Sequence, residues 1–217
     1  MSYTYTSETV GRRILNLYKH RLNNVRLTWC QQVLNILKNF SIGTINDLGC
    51  NYFQLYKEIK IRNLKYNYFG YDIDENFVNL GLKKFPELKK KYKIKNLENV
   101  KLRKTDCSIC SAVLTHVDKP YKVLKNIFFS TKKIIILRTF FDLKKSNTIQ
   151  RKSVLKPCNV NQFPFKKISN LFKKNGFDTY FVLDEATNYS RKFLKVDSIK
   201  NKRFMYILVG IKSSKKN

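Results

Sequence analysis

The sequence predicts an α/β fold built on one mostly parallel sheet with helices on both faces. Two observations predict it. From residue 44 onward, short apolar runs alternate with segments of helical periodicity, and the last two apolar runs follow each other without a helix between them. With 217 residues, 43% of them hydrophobic, the chain is long enough to bury one core, so we expect a single domain.

The first 40 residues predict helices. Residues 24–40 carry one apolar stripe at helical spacing, which predicts a helix with one buried face. The stripe consists of Val25, Trp29, Val33, Ile36, Leu37 and Phe40. The preceding run VGRRILNLYKHRL is also helical in pattern, but more basic. We therefore expect residues 1–40 to form an N-terminal helical extension that packs on a core formed by residues 41–217.

Four pairs of a strand and a helix follow. The predicted strands are TIND, YNYFGYDI, DCSICSAVL and KKIIILRTFF, and the helical segments after them are FQLYKEIK, ENFVNLGLKKF, PYKVLKNIFF and FPFKKISNLFKKNGF. Strands that alternate with helices pair in parallel through crossover helices. The last two runs, DTYFVLDE and RFMYILVGIK, predict an antiparallel hairpin at one edge of the sheet.

Residues 143–162 show no clear periodicity. Loops of this length inside a domain are usually functional or disordered. We therefore expect a long functional loop between the fourth strand and the helix that follows it.

The chain is strongly basic, with 44 Lys and Arg against 15 Asp and Glu and a formal net charge of +29. Such a charge attracts phosphate, anionic lipid headgroups or acidic polymers, so nucleic acid or another polyanion is a candidate partner. The alternative is that A/T-rich codon usage supplies much of the lysine without a selected partner.

The sequence contains no apolar run of membrane-spanning length and no secretory signal pattern, so we expect no membrane span and a cytoplasmic location. Five cysteines, an odd number, favour reduced thiols over a disulfide framework. Cys107 and Cys110 have the spacing of a metal site, but they lie in a predicted strand, where positions three apart point to opposite faces. We therefore expect no metal.

The first predicted strand runs into INDLGC, an acidic residue and a glycine just before a helix. In open α/β sheets, ligands bind beyond the carboxyl ends of the strands, and the first turn offers backbone N–H groups. Asp72 ends the next strand, about 20 residues further on, where a carboxylate accepts hydrogen bonds from ribose hydroxyls. Together these features predict a cofactor that contains a nucleoside.

The chain resembles the class I S-adenosylmethionine-dependent methyltransferases over roughly residues 25–212. The segments that carry the resemblance, in order, are INDLGC, YFGYDID, DCSICSAVLTHVDKPYKVLKNIF, KKIIILRTF, FKKISNLFKKNGFDTYFV and RFMYILVGIK. The most specific part is SAVLTHVDKPYKVLKNI, which is similar to the family's segment after strand 4. The resemblance implies a Rossmann-like, seven-stranded sheet with an antiparallel last hairpin, and S-adenosylmethionine as the cofactor.

The resemblance also implies eight cofactor-binding residues. They are Asp47, Gly49, Cys50, Asn51, Asp72, Ile73, Asn96 and Ser111. The first four would surround the methionine portion, and Asp72 would hold the ribose. Ile73 would flank the adenine, Asn96 would lie at its amino group, and Ser111 would lie beside the reactive methyl group.

The turn departs from the family pattern D-x-G-x-G-x-G at two positions. Asn51 replaces the second glycine, and asparagine adopts left-handed backbone angles more readily than most residues. Phe53 replaces the third glycine, and its ring can either fill the cofactor space or rotate into the core.

His116 is the candidate catalytic base, because it follows the end of strand 4, where the acceptor would lie, and its ordinary pKa suits proton removal near neutrality. The alternative is a structural histidine that bonds a loop carbonyl. Asp118 is expected to cap the next helix. Trp29, with Arg21 and Arg26, could cover the cofactor pocket, although a lone tryptophan in such a stripe is more often a core residue.

Two functions follow from these features. The first is a methyltransferase that acts on a hydroxyl of a small molecule or saccharide, with residues 143–162 forming the acceptor pocket. The second is a catalytically degraded relative, in which Phe53 fills the cofactor pocket and the basic surface binds RNA or another polyanion. An RNA methyltransferase would combine both properties.

Overall fold

The structure is a computed structural model that describes residues 7–142, 149–152, 159–188 and 204–213, with residues 8–14 and 149–152 described by their backbone. The helices are α1 (Ser7–Asn24), α2 (Thr28–Leu37), α3 (Gln54–Ile61), α4 (Glu75–Leu82), α5 (Pro120–Ser130), α6 (Phe165–Lys174) and α7 (Glu185–Asn188). The strands are β1 (Thr44–Leu48), β2 (Asn67–Asp72), β3 (Tyr92–Ile94), β4 (Thr105–Ser111), β5 (Thr131–Asp142), β6 (Ile149–Lys152), β7 (Asn159–Pro164), β8 (Phe177–Leu183) and β9 (Phe204–Lys212).

Seven of these strands form the predicted sheet. The first five pair in parallel in the order β3, β2, β1, β4, β5. On the other side of β5, β9 pairs antiparallel to it, and β8 pairs antiparallel to β9. The α/β class and the antiparallel C-terminal hairpin are therefore confirmed.

The long loop predicted at residues 143–162 is wrong in part, because β6 and β7 form a short antiparallel hairpin within it. The strand β7 also pairs in parallel with the end of β5, at Phe141 and Asp142. Its polar residues are buried because they bond to carbonyls after β4: the Asn161 side chain donates to Leu114 and Val117, at 2.8 Å each. Because β7 buries polar residues, its sequence lacks the alternation of apolar and polar residues that predicts a strand. Residues 143–148 and 153–158 lie outside the described residues.

The helix predicted over residues 24–40 begins at Thr28, since residues 25–27 separate α1 from α2. The ammonium of Lys57 donates to the carbonyls of Arg21 and Val25 there, at 3.1 and 2.9 Å, and so satisfies acceptors at the end of α1. Cys30, Val33, Leu34 and Leu37 of α2 are buried in the core cluster on one face of the sheet. The division of the chain at residue 40 stays a prediction.

The two faces of the sheet bury separate clusters. Cys107 packs in the cluster with α2 and α3, whereas Cys110 packs in the cluster with α5 and α6. Their thiols thus lie on opposite faces, as the strand geometry predicts. Within the described residues, no helix is both long and apolar enough to cross a membrane. Cys158 lies outside the described residues.

Candidate functional site

A cavity of about 310 Å³ lies at the carboxyl ends of β1, β2, β4 and β5. Parallel strands bring their carboxyl ends to one edge, so residues far apart in the sequence meet there. All nine residues predicted from the sequence line this cavity. They are Asp47, Gly49, Cys50, Asn51, Asp72, Ile73, Asn96, Ser111 and His116.

The turn after β1 keeps left-handed backbone angles at the three positions where the family pattern has glycine. Gly49 has φ 79°, Asn51 has φ 52° and Phe53 has φ 61°. Gly49 is required there, because a Cβ would also lie 2.1 Å from Cγ2 of Val113. The two substitutions therefore change the side chains without changing the path of the turn.

The backbone N–H groups of residues 49–53 in this turn are bonded within the protein. The N–H groups of Gly49 and Cys50 both donate to the Tyr71 carbonyl, at 2.7 and 2.9 Å. The N–H of Asn51 donates to the Asp72 carboxylate at 2.7 Å. The next two N–H groups bond within the turn, to the Asn51 side chain and the Cys50 carbonyl. A bound ligand would therefore use other donors of the cavity wall than the N–H groups of residues 49–53.

The ring of Phe53 lies in the core and not in the cavity. The residue is 0% exposed, and its ring meets those of Tyr68 and Tyr92 edge-on, with centroids 6.3 Å apart in each case. It fits between β2 and α4 because Gly70 and Gly81 have no side chains. Phe53 is absent from the cavity wall, so it does not block a cofactor.

Asp72 closes the end of β2 and supports the turn. One carboxylate oxygen accepts from the Asn51 N–H at 2.7 Å, and the other accepts from the Asp74 N–H at 2.9 Å. Burial raises the pKa of Asp72 to about 6, although these two hydrogen bonds favour the ionised form. The carboxylate is therefore fixed in place, with further lone pairs available to a ligand.

Asp47 lies deeper than Asp72 and is 2% exposed. Its Oδ2 accepts a hydrogen bond from the Tyr68 hydroxyl at 2.7 Å. Burial, aided by the charge of Asp72, raises the pKa of Asp47 to about 7, against the effect of the tyrosine. A cationic group in the cavity would stabilise the ionised form of both carboxyl groups.

His116 lies on the segment between β4 and α5. Its Nδ1 donates to the Asn159 carbonyl at 2.9 Å, since a carbonyl only accepts. In the neutral ring, Nε2 then carries the lone pair. The bond to a carbonyl of β7 fits the interpretation of His116 as a structural residue. His116 also lines the cavity, which fits the interpretation of its Nε2 as the acceptor of a proton.

Asp118 does not cap α5, so that prediction is wrong. Its carboxylate instead accepts a hydrogen bond from the Asn159 side chain. The backbone N–H groups of Asp118 and Lys119 both donate to Oε1 of Glu98, at 2.9 and 3.0 Å. A carboxylate from the segment after β3 therefore supports the start of this helix.

Ile73 and Asn96 line the cavity where β2 and β3 end. Ile73 is exposed and follows β2 directly. Asn96 follows β3, and its side-chain oxygen accepts from the Glu98 N–H at 2.8 Å, which leaves its amide nitrogen directed elsewhere. Ser111 ends β4, and Ala112 after it has φ 61°, so the chain turns sharply beside the cavity.

Two arginines line the cavity: Arg21, which the sequence analysis places there together with Trp29, and Arg138, which it does not. Arg21 of α1 is half-buried, and its guanidinium makes no hydrogen bond within the described residues. Arg138 of β5 is buried and forms an ion pair with Asp184. Trp29 lines the cavity and also packs against the core, whereas Arg26 lies outside the cavity and pairs with Glu58. A lone arginine inside the apolar run KKIIILRTFF was the available signal for Arg138.

Comparison with known proteins agrees with this geometry. Residues 46–133 match the family model described as methyltransferase domain. This range contains the turn after β1, Asp72, Ser111 and His116. No curated protein sequence matches the chain at a significant level.

Similar folds occur among solved structures. Magnesium protoporphyrin IX methyltransferase from Synechocystis PCC 6803 with bound SAM is 16% identical, with a TM-score of 0.56 over 92% of this chain and 82% of that one. An O-methyltransferase family protein from Burkholderia thailandensis is 13% identical, with a TM-score of 0.60 over 91% and 60%. The N-terminal domain of EvdMO1, studied with SAH and D-fucose, is 13% identical, with a TM-score of 0.64 over 95% and 99%. At these identities the likeness establishes the fold.

Proposed function

We propose that this chain is an S-adenosylmethionine-dependent methyltransferase that transfers a methyl group to a hydroxyl of a small molecule or saccharide. One observation carries the proposal: the eight residues implied for the cofactor and the candidate base line a single cavity, and the ring of Phe53 lies outside it. The cofactor and the methyl acceptor can therefore bind in the same cavity.

The donors and acceptors in the cavity fit the cofactor. Asp72 would accept hydrogen bonds from the ribose hydroxyls, and Ile73 and Asn96 would flank the adenine. Because the N–H groups of the turn are already bonded, the side chain of Arg21 would bind the carboxylate of the methionine portion. Asp47 would face its cationic groups. When bound, the cofactor supplies a methyl group on a positively charged sulfur and is left as neutral S-adenosylhomocysteine.

His116 would act on the acceptor. Its Nδ1 is held by the Asn159 carbonyl, so Nε2 has the lone pair needed to take the proton of a hydroxyl as the oxygen–carbon bond forms. The side chain of Ser111, at the end of β4, would lie beside the transferred methyl group. Orientation supplies most of the rate in such a displacement, so few protein groups are required.

The similar structures support a hydroxyl acceptor. One belongs to an O-methyltransferase family protein, and another was studied in the presence of D-fucose. The degraded, polyanion-binding alternative loses its premise, because it requires Phe53 to fill the cofactor pocket. Binding of nucleic acid by the basic surface stays a prediction that rests on the net charge of +29 alone.

Calorimetric titration of S-adenosylmethionine and S-adenosylhomocysteine into the purified protein at two salt concentrations tests the proposal. We expect micromolar binding that changes little with salt, since the contacts are enclosed. A polyanion such as RNA would instead bind with a strong salt dependence, whether or not the cofactor is present. The absence of any binding of S-adenosylhomocysteine would overturn the proposal.

A further inference from the structure

Arg138 is the most deeply buried cation of the cavity wall. It lies on β5 in register with Ser111 of β4, so both side chains point to the same face of the sheet. The residue is 8% exposed, and it lines the same cavity as Ser111 and His116. It therefore stands on the acceptor side of the proposed site.

The guanidinium of Arg138 is held from behind by Asp184. Nε donates to Oδ1 at 2.8 Å and Nη2 donates to Oδ2 at 3.0 Å, which is a bidentate ion pair. Nη2 also donates to the Thr187 hydroxyl at 2.9 Å. Asp184 is itself 0% exposed and accepts from the Thr187 N–H. The orientation of the guanidinium is therefore fixed before any ligand binds.

The third guanidinium nitrogen, Nη1, keeps donor capacity. Within the described residues it contacts the Ser111 hydroxyl at 3.4 Å, which is at the outer limit for a hydrogen bond. A buried N–H group without a good acceptor is unfavourable, so an acceptor oxygen supplied by a ligand would stabilise it. That oxygen would lie beside Ser111.

The charge around Nη1 favours a neutral oxygen. Asp184 already balances the positive charge of Arg138, so a carboxylate or phosphate on the ligand would meet a neutral pair. Such an anion would lose its hydration without gaining a full counter-charge. A hydroxyl oxygen has a much smaller desolvation penalty and accepts the same hydrogen bond.

Trp29 provides an apolar wall next to this donor. The guanidinium carbon of Arg138 lies 5.8 Å from the centroid of the indole ring, and both residues line the cavity. An aromatic wall together with a few fixed polar groups is the usual composition of a site for a small ring compound. The indole is held by its contacts with the core, so it is a rigid surface.

We propose that the methyl acceptor is an uncharged ring that carries neighbouring hydroxyl groups, packed on Trp29, with one hydroxyl bound by Nη1 of Arg138. The neighbouring hydroxyl would lie between Ser111 and His116 and receive the methyl group. This inference rests on the proposed function and narrows its substrate class. A neutral monosaccharide and a catechol both provide this chemistry.

Trp29 is the only tryptophan of the chain, so its fluorescence reports on the cavity directly. With saturating S-adenosylhomocysteine present, the protein is titrated with D-fucose, catechol and their charged counterparts D-galacturonate and protocatechuate. We expect at least one neutral ring to change the fluorescence saturably and to bind about tenfold more tightly than its charged counterpart. A response to D-fucose identifies the acceptor as a saccharide, and a response to catechol identifies it as a phenol. No response to either neutral ring, or tighter binding of the charged forms, would overturn the inference.

Arg138→Lys keeps the charge and removes the fixed fork. We expect it to weaken binding of the neutral ring about tenfold, with the affinity for S-adenosylhomocysteine within about twofold. Arg103→Lys is the matched control, since Arg103 also lies over an aromatic ring, at 4.6 Å from the Phe69 centroid, but outside the cavity. Unchanged ring binding by Arg138→Lys would contradict the assignment. A wild-type protein that fails to bind S-adenosylhomocysteine would count against the proposed function instead.

Discussion

The ring of Phe53 fills the space that a side chain on Gly81 would need. A Cβ at position 81 would lie 2.5 Å from Cδ2 of Phe53 and 2.9 Å from the backbone of Tyr52. Gly70 of β2 makes room on the other side, where a Cβ would lie 3.1 Å from Cε1 of the same ring. Two neighbouring glycines therefore accommodate the aromatic residue in a turn where the family usually has a third glycine.

Gly81→Ala should destabilise the protein by about 1–3 kcal/mol, because the new methyl group would overlap a buried ring and a backbone segment that has no room to move. Urea unfolding followed by circular dichroism measures the change. Gly43→Ala is the control, because a Cβ there would meet its nearest neighbour, Oδ2 of Asp106, at 3.7 Å. Equal stability of the two variants would show that the ring has other space available.

Asp72→Asn should weaken the binding of S-adenosylhomocysteine about tenfold or more, equivalent to ~1.4 kcal/mol. Asparagine has one acceptor oxygen in place of two, so it cannot accept both backbone hydrogen bonds of Asp72 and those of the ribose hydroxyls. Calorimetry measures the affinity. Asp106→Asn is a matched control, since Asp106 also accepts from backbone N–H groups, those of Gly43 and Thr44, but lies outside the cavity. An unchanged affinity for Asp72→Asn would remove the ribose assignment.

Asp47 should make the folded state less stable as the pH rises. Burial raises its pKa to about 7, whereas an aspartate in the unfolded chain titrates near about 3.9. Between these values the folded protein binds more protons than the unfolded chain, so the free energy of unfolding falls with increasing pH. Asp72, with a pKa of about 6, acts in the same direction.

Asp47→Asn cannot ionise, so its stability should fall less than that of the wild type between about pH 5 and about pH 8, by ~2 kcal/mol or more. Its side-chain oxygen can still accept from the Tyr68 hydroxyl. Urea unfolding at the two pH values gives the comparison. Parallel pH dependences of the two proteins would mean that Asp47 stays ionised in the folded state.

His116→Gln should lower the rate of methyl transfer about 100-fold and leave the affinity for S-adenosylhomocysteine nearly unchanged. The amide of glutamine is polar and of similar size to the imidazole, but it cannot take a proton. The rate of methylation is measured by mass spectrometry, with the ring compound that binds in the fluorescence titration as the acceptor. His20→Gln is the control, because His20 lies on the exposed face of α1 beside Asn24. A full rate in His116→Gln would assign a structural role to His116.

The sequence predicts most of the sheet because its strands are buried on both faces and contain continuous apolar runs. It also predicts which residues share the cavity, since Asp47, Asp72 and Ser111 all lie within one residue of the carboxyl end of a parallel strand. Their chemical roles are a further step that mutation must test.

The features that the sequence predicts poorly depend on contacts between distant segments. The hairpin of β6 and β7 is stabilised by the buried amide of Asn161 and not by an apolar pattern. Glu98, and not the adjacent Asp118, bonds the start of α5. The pairing of Arg138 with Asp184 joins the interior of β5 to the residue after β8, and no local signal connects these two segments.

The Tyr71 carbonyl, which accepts from both Gly49 and Cys50, clamps the turn from the neighbouring strand. A loop whose shape is imposed in this way by another strand keeps that shape with asparagine at position 51 and phenylalanine at position 53. Glycine codons begin with two G bases, whereas those of asparagine and phenylalanine are rich in A and T. A lineage whose DNA drifts toward A and T can therefore carry asparagine and phenylalanine at these two positions and keep the shape of the turn, so that searches based on a glycine-rich signature would pass over its members.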